Sequence, residues 1–181
     1  MAVLSIRIYG DTVLRQRAVE IPKLDDSVQK LVSDMLETLK QENGLGLAAN
    51  QVGVLKRVFV ANLSHVKEGE KPFAIINPVL VDKAGEIIGE EGCLSIPGIF
   101  EDVVRSKRIT FKGLDMDGKE IEIKAEDLLA RVMQHELDHL NGILFIDNLS
   151  KIKREQIDSK LNKISEKSLE VKKSSLVKDS Q

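Results

Sequence analysis

The sequence predicts an α+β fold, because helical and strand-like patterns alternate along the chain. Apolar residues recur at helical spacing over residues 25–42, and strand-like runs follow over residues 57–88. Residues 108–123 then alternate apolar and polar side chains around the turn Asp117-Gly118, which is typical of two half-exposed antiparallel strands. A second helical pattern covers residues 125–141. These patterns predict a mixed domain in which one helix precedes the strands in the sequence and another follows them.

Each predicted helix has an apolar face and a recognisable end. Asp25, Asp26 or Ser27 can cap the first helix, which runs to Glu42 before Gly44-Leu45-Gly46. Its apolar face consists of Val28, Leu31, Val32, Met35, Leu36 and Leu39. Gly142 ends the second helix. The apolar face of this helix consists of Leu128, Leu129, Val132, Met133, Leu137 and Leu140.

The predicted strands are short and lie between the two helices. They are Arg57 to Ala61, Ala74 to Val81, Glu86 to Ile88, and the hairpin strands Arg108 to Phe111 and Glu120 to Ile123. The hairpin prediction is the more specific one, because a two-residue Asp-Gly turn fits between alternating segments.

Composition excludes several classes of protein. A length of 181 residues, with 42% apolar and 31% charged residues, is typical of one ordinary globular domain. A net charge of -2 argues against DNA binding over the whole surface, and the apolar stretches are too short for a membrane-spanning helix. The first residues, Met1 to Arg7, do not resemble a signal or transit peptide, and a single cysteine fits a reducing compartment. We expect a cytoplasmic protein.

The chain divides by charge into residues 1–150 and a basic tail, residues 151–181. The tail has nine Lys or Arg and five Asp or Glu, so it is the basic part of an otherwise acidic chain. Ile157, Leu161 and Ile164 form a weak helical stripe, and disorder is expected beyond Leu169. The tail is interpreted as a solvated face.

The second helix contains the motif His135-Glu136-Leu137-Asp138-His139, an H-E-x-x-H sequence. Two histidines four residues apart lie on one helix face and can share a metal ion, while Glu136 can reach a metal-bound water. A catalytic metal centre needs a third protein ligand. The extended metallopeptidase motif would place a histidine at position 145, which is Phe145. Asp147, Glu155 and Cys93 therefore remain as candidates, of which Cys93 in its glycine-flanked loop is favoured.

A third segment, residues 44–51, reads Gly-Leu-Gly-Leu-Ala-Ala-Asn-Gln. Its glycines allow close backbone approach, but it follows a helix and lacks the nucleotide-binding spacing. Together with residues 91–95 and 134–140 it resembles the three signature motifs of the peptide deformylases, in order and at the expected intervals. The resemblance covers about residues 1–155 and leaves the tail outside.

This resemblance implies antiparallel sheets around a central helix, and an enzyme that hydrolyses the N-formyl group of new polypeptides starting with formylmethionine. It implies one divalent metal ion, held by Cys93, His135 and His139, with Fe(II) expected in the cell and zinc possible in purified protein. Glu136 would pass a proton from the attacking water to the departing amine. The alternative is another H-E-x-x-H zinc peptidase whose third ligand is Asp147 or Glu155, as noted above.

The resemblance also assigns binding roles. The Gln51 side-chain amide and the Leu94 backbone N–H would stabilise the oxyanion, and extended substrate would pair with the backbone near Gly46. Leu128 and Val132 would line the methionine pocket.

Three further charged or polar residues carry expectations. Arg131 places a charge at the pocket rim, and Asp138 is expected to pair with Arg105. His65 is expected in an exposed loop. The predicted partners are N-formylmethionyl nascent peptides and, through the basic tail, the ribosome.

Overall fold

The computed structural model describes residues 1–64 and 66–178, with side chains as far as Val171. His65, expected in an exposed loop, lies outside the described residues. In chain order the elements are α1 (Asp26–Gln41), β1 (Gly46–Ala48), β2 (Val58–Ala61), β3 (Phe73–Cys93), β4 (Ile96–Leu114), β5 (Glu120–Glu126), α2 (Asp127–Leu140) and α3 (Lys151–Lys178). The mixed α and β class predicted from the sequence is confirmed.

The five strands form one antiparallel sheet in chain order, so each strand pairs with the next. Strands β3 and β4 build a long hairpin that closes where Cys93 pairs with Ile96. The sequence predicts β3 as two short strands, but they are one, since Gly85 lies within it and does not end the pairing. The predicted hairpin of β4 and β5 is confirmed, with Phe111 opposite Ile123.

Helix α1 begins as its sequence predicts. The Asp25 carboxylate accepts a hydrogen bond from the Val28 backbone N–H at 3.1 Å, which is the N-cap contact. The inner face of the helix packs Val32, Met35 and Leu39 against the buried side of the sheet. Burial of this aliphatic face is the main reason that the helix is stable in the folded chain.

Helix α2 follows β5 without a loop and lies against the sheet. Its side chains Ala130, Met133 and Leu140 share a buried cluster with Phe59 and Phe111, which pack edge to face. After Leu140, a left-handed Gly142 (φ 75°) ends the helix, as its sequence predicts. The apolar contacts place α2 in the centre of the domain and fix the direction in which its polar face points.

Helix α3 packs the predicted stripe against the rest of the chain. Ile157, Leu161 and Ile164 are buried together with Ile96 and Val103 of β4. The helix then continues to Lys178, although disorder is expected from Leu169 onward. Extending a helix that is already anchored costs little, and lysine is a good helix former. No helix in the described part of the chain is long and apolar enough to cross a membrane.

Candidate active site

The two histidines of α2 meet the only cysteine of the chain at the closed end of the β3–β4 hairpin. Cys93 Sγ lies 3.2 Å from His139 Nε2, and the ring centroids of His135 and His139 are 5.0 Å apart. The ligand atoms of these three residues lie within 4.8 Å of one another, and no other such group of three occurs among the described residues. Packing of α2 against the sheet thus completes the three-residue set.

The hairpin end also orients Cys93. The Ser95 backbone N–H donates to Cys93 Sγ at 3.4 Å, and Gln51 Nε2 donates to the same sulfur at 3.5 Å. Gln51 lies in a short 3₁₀ turn, Ala49–Val52, and its Oε1 accepts a hydrogen bond from the Ala48 backbone N–H at 2.8 Å. This bond leaves the amide nitrogen of Gln51 directed toward Cys93.

The donor set fits a transition-metal ion. One thiolate sulfur and two imidazole nitrogens are ligands that zinc and iron both accept. His135 Nδ1 lies 3.0 Å from a Glu91 carboxylate oxygen, which leaves Nε2 to face the centre. Burial and the neighbouring His135 lower the pKa of His139 well below its usual value, which favours the neutral imidazole that binds metal. For His135, burial lowers the pKa, but contacts with Cys93 and Glu91 outweigh it and raise the pKa above its usual value.

Glu136 lies beside this group with one oxygen unused. The residue is 3% exposed, and its Oε2 has no hydrogen-bond partner among the described residues. Burial raises the pKa of Glu136 to about 7. A Cβ atom at Gly46 would collide with the Glu136 carboxylate, so only glycine lets β1 pass this close. A carboxylate with these properties can exchange a proton near neutral pH.

A buried ionic network supports the site from behind. The Glu91 carboxylate accepts hydrogen bonds from Arg105 Nε at 2.8 Å and Arg131 Nη1 at 2.8 Å, in addition to its contact with His135. Burial raises the pKa of Glu91, but contacts with Arg105 and His135 outweigh it and hold the pKa well below its usual range. Arg105 also pairs with Asp138, which confirms the sequence prediction for that carboxylate.

Arg131 lies beside the pocket, as its sequence position suggests, but the side chain is buried and not exposed at a rim. It is 7% exposed, and its guanidinium also donates to the backbone carbonyls of Val103 and Ile87 at 2.9 Å. Two strands and Glu91 enclose the side chain, so Glu91 neutralises its charge within the protein. Sequence reasoning missed Glu91 as the partner of His135 and Arg131 as the partner of Glu91, and the only available signal was the position of Glu91 beside Cys93.

An open pocket of about 490 Å³ leads to the group. Its lining includes every predicted site residue except His139, which is buried behind the others: Gly46, Gln51, Cys93, Leu94, Leu128, Val132, His135 and Glu136. The structure therefore brings the separate sequence motifs to one cavity.

The alternative third ligands lie elsewhere. The Asp147 carboxylate pairs with Arg15 and accepts a hydrogen bond from the Leu144 backbone N–H. Glu155 is exposed on α3, 3.9 Å from Lys151. Neither carboxylate joins the histidines, so the structure supports Cys93 over both.

A buried H-E-x-x-H helix whose histidines meet a cysteine beside an open pocket defines a metal-dependent hydrolase. The family model described as polypeptide deformylase matches residues 3–155. A peptide deformylase of Thermodesulfovibrio yellowstonii is 50% identical over 155 residues, covering 86% of this chain and 94% of that protein. One of Alkalilimnicola ehrlichii is 48% identical, covering 91% of this chain and 92% of the relative. The chain belongs to the polypeptide deformylase family.

Solved structures agree with this assignment. The peptide deformylase of Ehrlichia chaffeensis in complex with actinonin superposes with a TM-score of 0.84 at 46% identity, covering 92% of this chain and 98% of that chain. The peptide deformylase of Legionella pneumophila gives a TM-score of 0.84 at 43% identity, covering 90% and 95%. The chain is therefore a metalloenzyme that removes the N-formyl group from nascent polypeptides.

Proposed function

We propose that Cys93, His135 and His139 hold one divalent metal ion, Fe(II) in the cell, and that Glu136 moves the proton in hydrolysis of N-terminal formylmethionine. The observation that carries this proposal is the convergence of three ligand atoms within 4.8 Å, next to a buried carboxylate with an unused oxygen. A thiolate with two imidazoles is compatible with iron as well as zinc. When bound, the metal would supply Lewis-acid activation of water and of the formyl carbonyl.

Glu136 serves as base and then as acid. Its unpartnered Oε2 accepts a proton from the attacking water as the new C–O bond forms at the formyl carbon. The same oxygen then gives that proton to the departing amine as the C–N bond breaks, and formate is released. A pKa near neutrality suits both directions of transfer.

Gln51 and Leu94 supply hydrogen-bond donors for the oxyanion. The Ala48 backbone N–H holds the oxygen of the Gln51 amide, and Nε2 lies toward Cys93, while Leu94 lines the same pocket. Donors that are already in place stabilise developing charge without reorganisation.

The substrate main chain adds to the sheet at β1. This strand is the edge of the sheet, and its first residue, Gly46, lines the pocket. Leu128 and Val132 of α2 offer apolar surface to the methionine side chain. Edge pairing explains how peptides of different sequence would bind with the same geometry.

The deciding experiment compares two peptides on anaerobically purified enzyme of known metal content. Formyl-Met-Ala-Ser should release formate and a free amine in equal amounts, whereas acetyl-Met-Ala-Ser should react far more slowly because the acetyl methyl is bulkier. Cleavage at an internal peptide bond of either substrate would instead indicate a general peptidase and contradict the proposal.

We also propose a cytoplasmic location and binding of α3 to ribosomal RNA phosphates. Lys160, Lys163 and Lys167 are exposed on this helix, to one side of its buried stripe. Truncation would also remove Ile157 and Leu161 from the core, so charge substitution is the cleaner test. Replacing the three lysines by glutamine should weaken cosedimentation with ribosomes at low salt and leave peptide hydrolysis unchanged. Equal cosedimentation of the two proteins would exclude the role.

A further inference from the structure

Ser95 lies directly behind the amide of Gln51. Both residues are buried, with exposed fractions of 0% and 1%, and the Gln51 Nε2 donates to Ser95 Oγ at 3.2 Å. The same nitrogen donates to Cys93 Sγ at 3.5 Å, which is a longer contact to a weaker acceptor. The Gln51 amide thus has one N–H held by Ser95 and a second N–H facing the site.

Without the contact to Ser95, the hydrogen bond at the other end of the Gln51 amide does not fix the orientation of its N–H groups. Its Oε1 is held by the Ala48 backbone N–H, which excludes a flipped amide. That single bond still leaves the amide plane free to rotate about the hydrogen bond. The contact with Ser95 Oγ on the opposite end removes this freedom, because the amide is then held at both its oxygen and its nitrogen.

The two residues are also tied together through their backbones. The Arg7 N–H donates to the Gln51 carbonyl at 2.7 Å, and the Tyr9 N–H donates to the Ser95 carbonyl at 2.8 Å. One N-terminal segment therefore holds the 3₁₀ turn of Gln51 and the hairpin end of Ser95 in a fixed relation. The hydroxyl of Ser95 approaches Gln51 from a rigid position.

We propose that Ser95 is a positioning residue for Gln51: its hydroxyl occupies one amide N–H so that the other points at the oxygen of the formyl group. This inference rests on the proposed role of Gln51 as an oxyanion donor. Ser95 itself contacts neither the substrate nor the reacting atoms. Its loss lowers the fraction of Gln51 side chains in the productive orientation, and so affects kcat more than KM.

The test measures kcat, KM, metal content and thermal unfolding for Ser95→Ala, with Ser168→Ala as the matched control. Ser168 is also a buried serine but lies on α3. We expect Ser95→Ala to retain the metal and KM while kcat falls about tenfold, and Ser168→Ala to retain both constants. A kcat for Ser95→Ala within twofold of the parent enzyme would overturn the inference.

A double-mutant cycle separates positioning from a merely structural role. Gln51→Leu alone should lower kcat by about 10²-fold, since it removes an oxyanion donor. Ser95→Ala should then cause no further loss in the Gln51→Leu background, because the group that it positions is already absent. An undiminished tenfold loss in that background would refute the inference, whereas near-normal kcat for Gln51→Leu would refute the proposed role of Gln51 itself.

An isosteric pair covers the case in which Ser95→Ala fails to fold. Ser95→Thr keeps the hydroxyl, and Ser95→Val has the same shape without it. Both variants carry the same added volume, so the comparison isolates the hydrogen bond. The Val variant should have about tenfold lower kcat than the Thr variant at equal metal content, and equal kcat values would overturn the inference.

Discussion

Helices α2 and α3 each bury an apolar stripe, but only α2 also buries its charged side chains. On α3, Ile157, Leu161 and Ile164 face inward, whereas Lys160, Lys163 and Lys167 are exposed. On α2, Arg131, Glu136 and both histidines are less than a tenth exposed. The same helical periodicity therefore produces one helix that only packs and one that packs and also carries out chemistry.

The difference between the two helices shows which charged side chains need a partner within the protein. A buried charge is costly unless other elements supply opposite charge or hydrogen bonds. For α2 the β3–β4 hairpin supplies them through Glu91 and Arg105, whereas Lys160, Lys163 and Lys167 of α3 are exposed to solvent. Two buried polar atoms of α2 have no hydrogen-bond partner among the described residues, Glu136 Oε2 and His139 Nδ1, and both belong to the H-E-x-x-H motif.

The largest expected effect follows from removing one of the proposed metal ligands, either Cys93 of the hairpin or His139 of α2. Cys93→Ala and His139→Ala should each lose the metal and with it the deformylase activity, since two remaining ligands bind too weakly. Metal analysis after gel filtration checks this, with Glu155→Ala on α3 as the control that keeps the metal. Full metal content in Cys93→Ala would place the third ligand elsewhere.

The next effect separates chemistry from metal binding on α2. Glu136→Gln keeps the shape of the side chain but cannot accept a proton, so turnover should fall by about 10²- to 10⁴-fold. Metal content should remain that of the parent enzyme. Activity within a few-fold of the parent in a metal-loaded sample would be incompatible with Glu136 as the proton carrier.

Substitution of one arginine on each helix compares the ion pairs of α2 and α3. Arg131 is buried, and Arg154 is half-buried. Arg131→Met should lower the free energy of unfolding by about 4 kcal/mol, because Glu91 loses a buried partner and two carbonyls lose a donor. Arg154→Met on α3 breaks a partly exposed pair with Asp158 and a hydrogen bond to the Tyr9 hydroxyl, and should cost less than about 1 kcal/mol. Urea unfolding of the two variants measures the difference, and equal losses would contradict the comparison.

The smallest effect concerns the packing of α3 alone. Leu161→Ala creates a cavity at a side chain that is 1% exposed and should cost about 3 kcal/mol of stability. The value of kcat at a temperature where the enzyme stays folded should not change. Leu169→Ala, at a side chain that is 52% exposed, is the control and should cost less than about 0.5 kcal/mol.

Sequence reasoning identified the elements whose pattern is local. Helical spacing predicts α1 and α2, and alternation around Asp117-Gly118 predicts the hairpin of β4 and β5. The pairing of Asp138 with Arg105 was also predicted, since a charge within a buried motif requires a partner. These features can be predicted because they depend on residues close in sequence, or on the need of a buried charged group for an oppositely charged partner.

Features that depend on distant packing could not be predicted. Arg131 resembles a surface charge in the sequence, and only the folded hairpin shows that Glu91 and two strand carbonyls surround it. The full length of β3 is not predicted for a similar reason. A glycine usually weakens or interrupts a strand, whereas Gly85 does not end β3. The continuation of α3 past Leu169 reflects anchoring by buried residues that lie earlier in the helix.

The separation of the three proposed ligands along the chain would determine when a metal ion can bind to them. Cys93 precedes His139 by 46 residues and belongs to a different element, so the three ligand atoms meet only after α2 has docked on the β3–β4 hairpin. A partly synthesised or unfolded chain offers at most the two histidines, which bind metal far more weakly. Metal uptake is therefore a step that follows long-range folding, and the bound ion in turn stabilises the docked state by mass action.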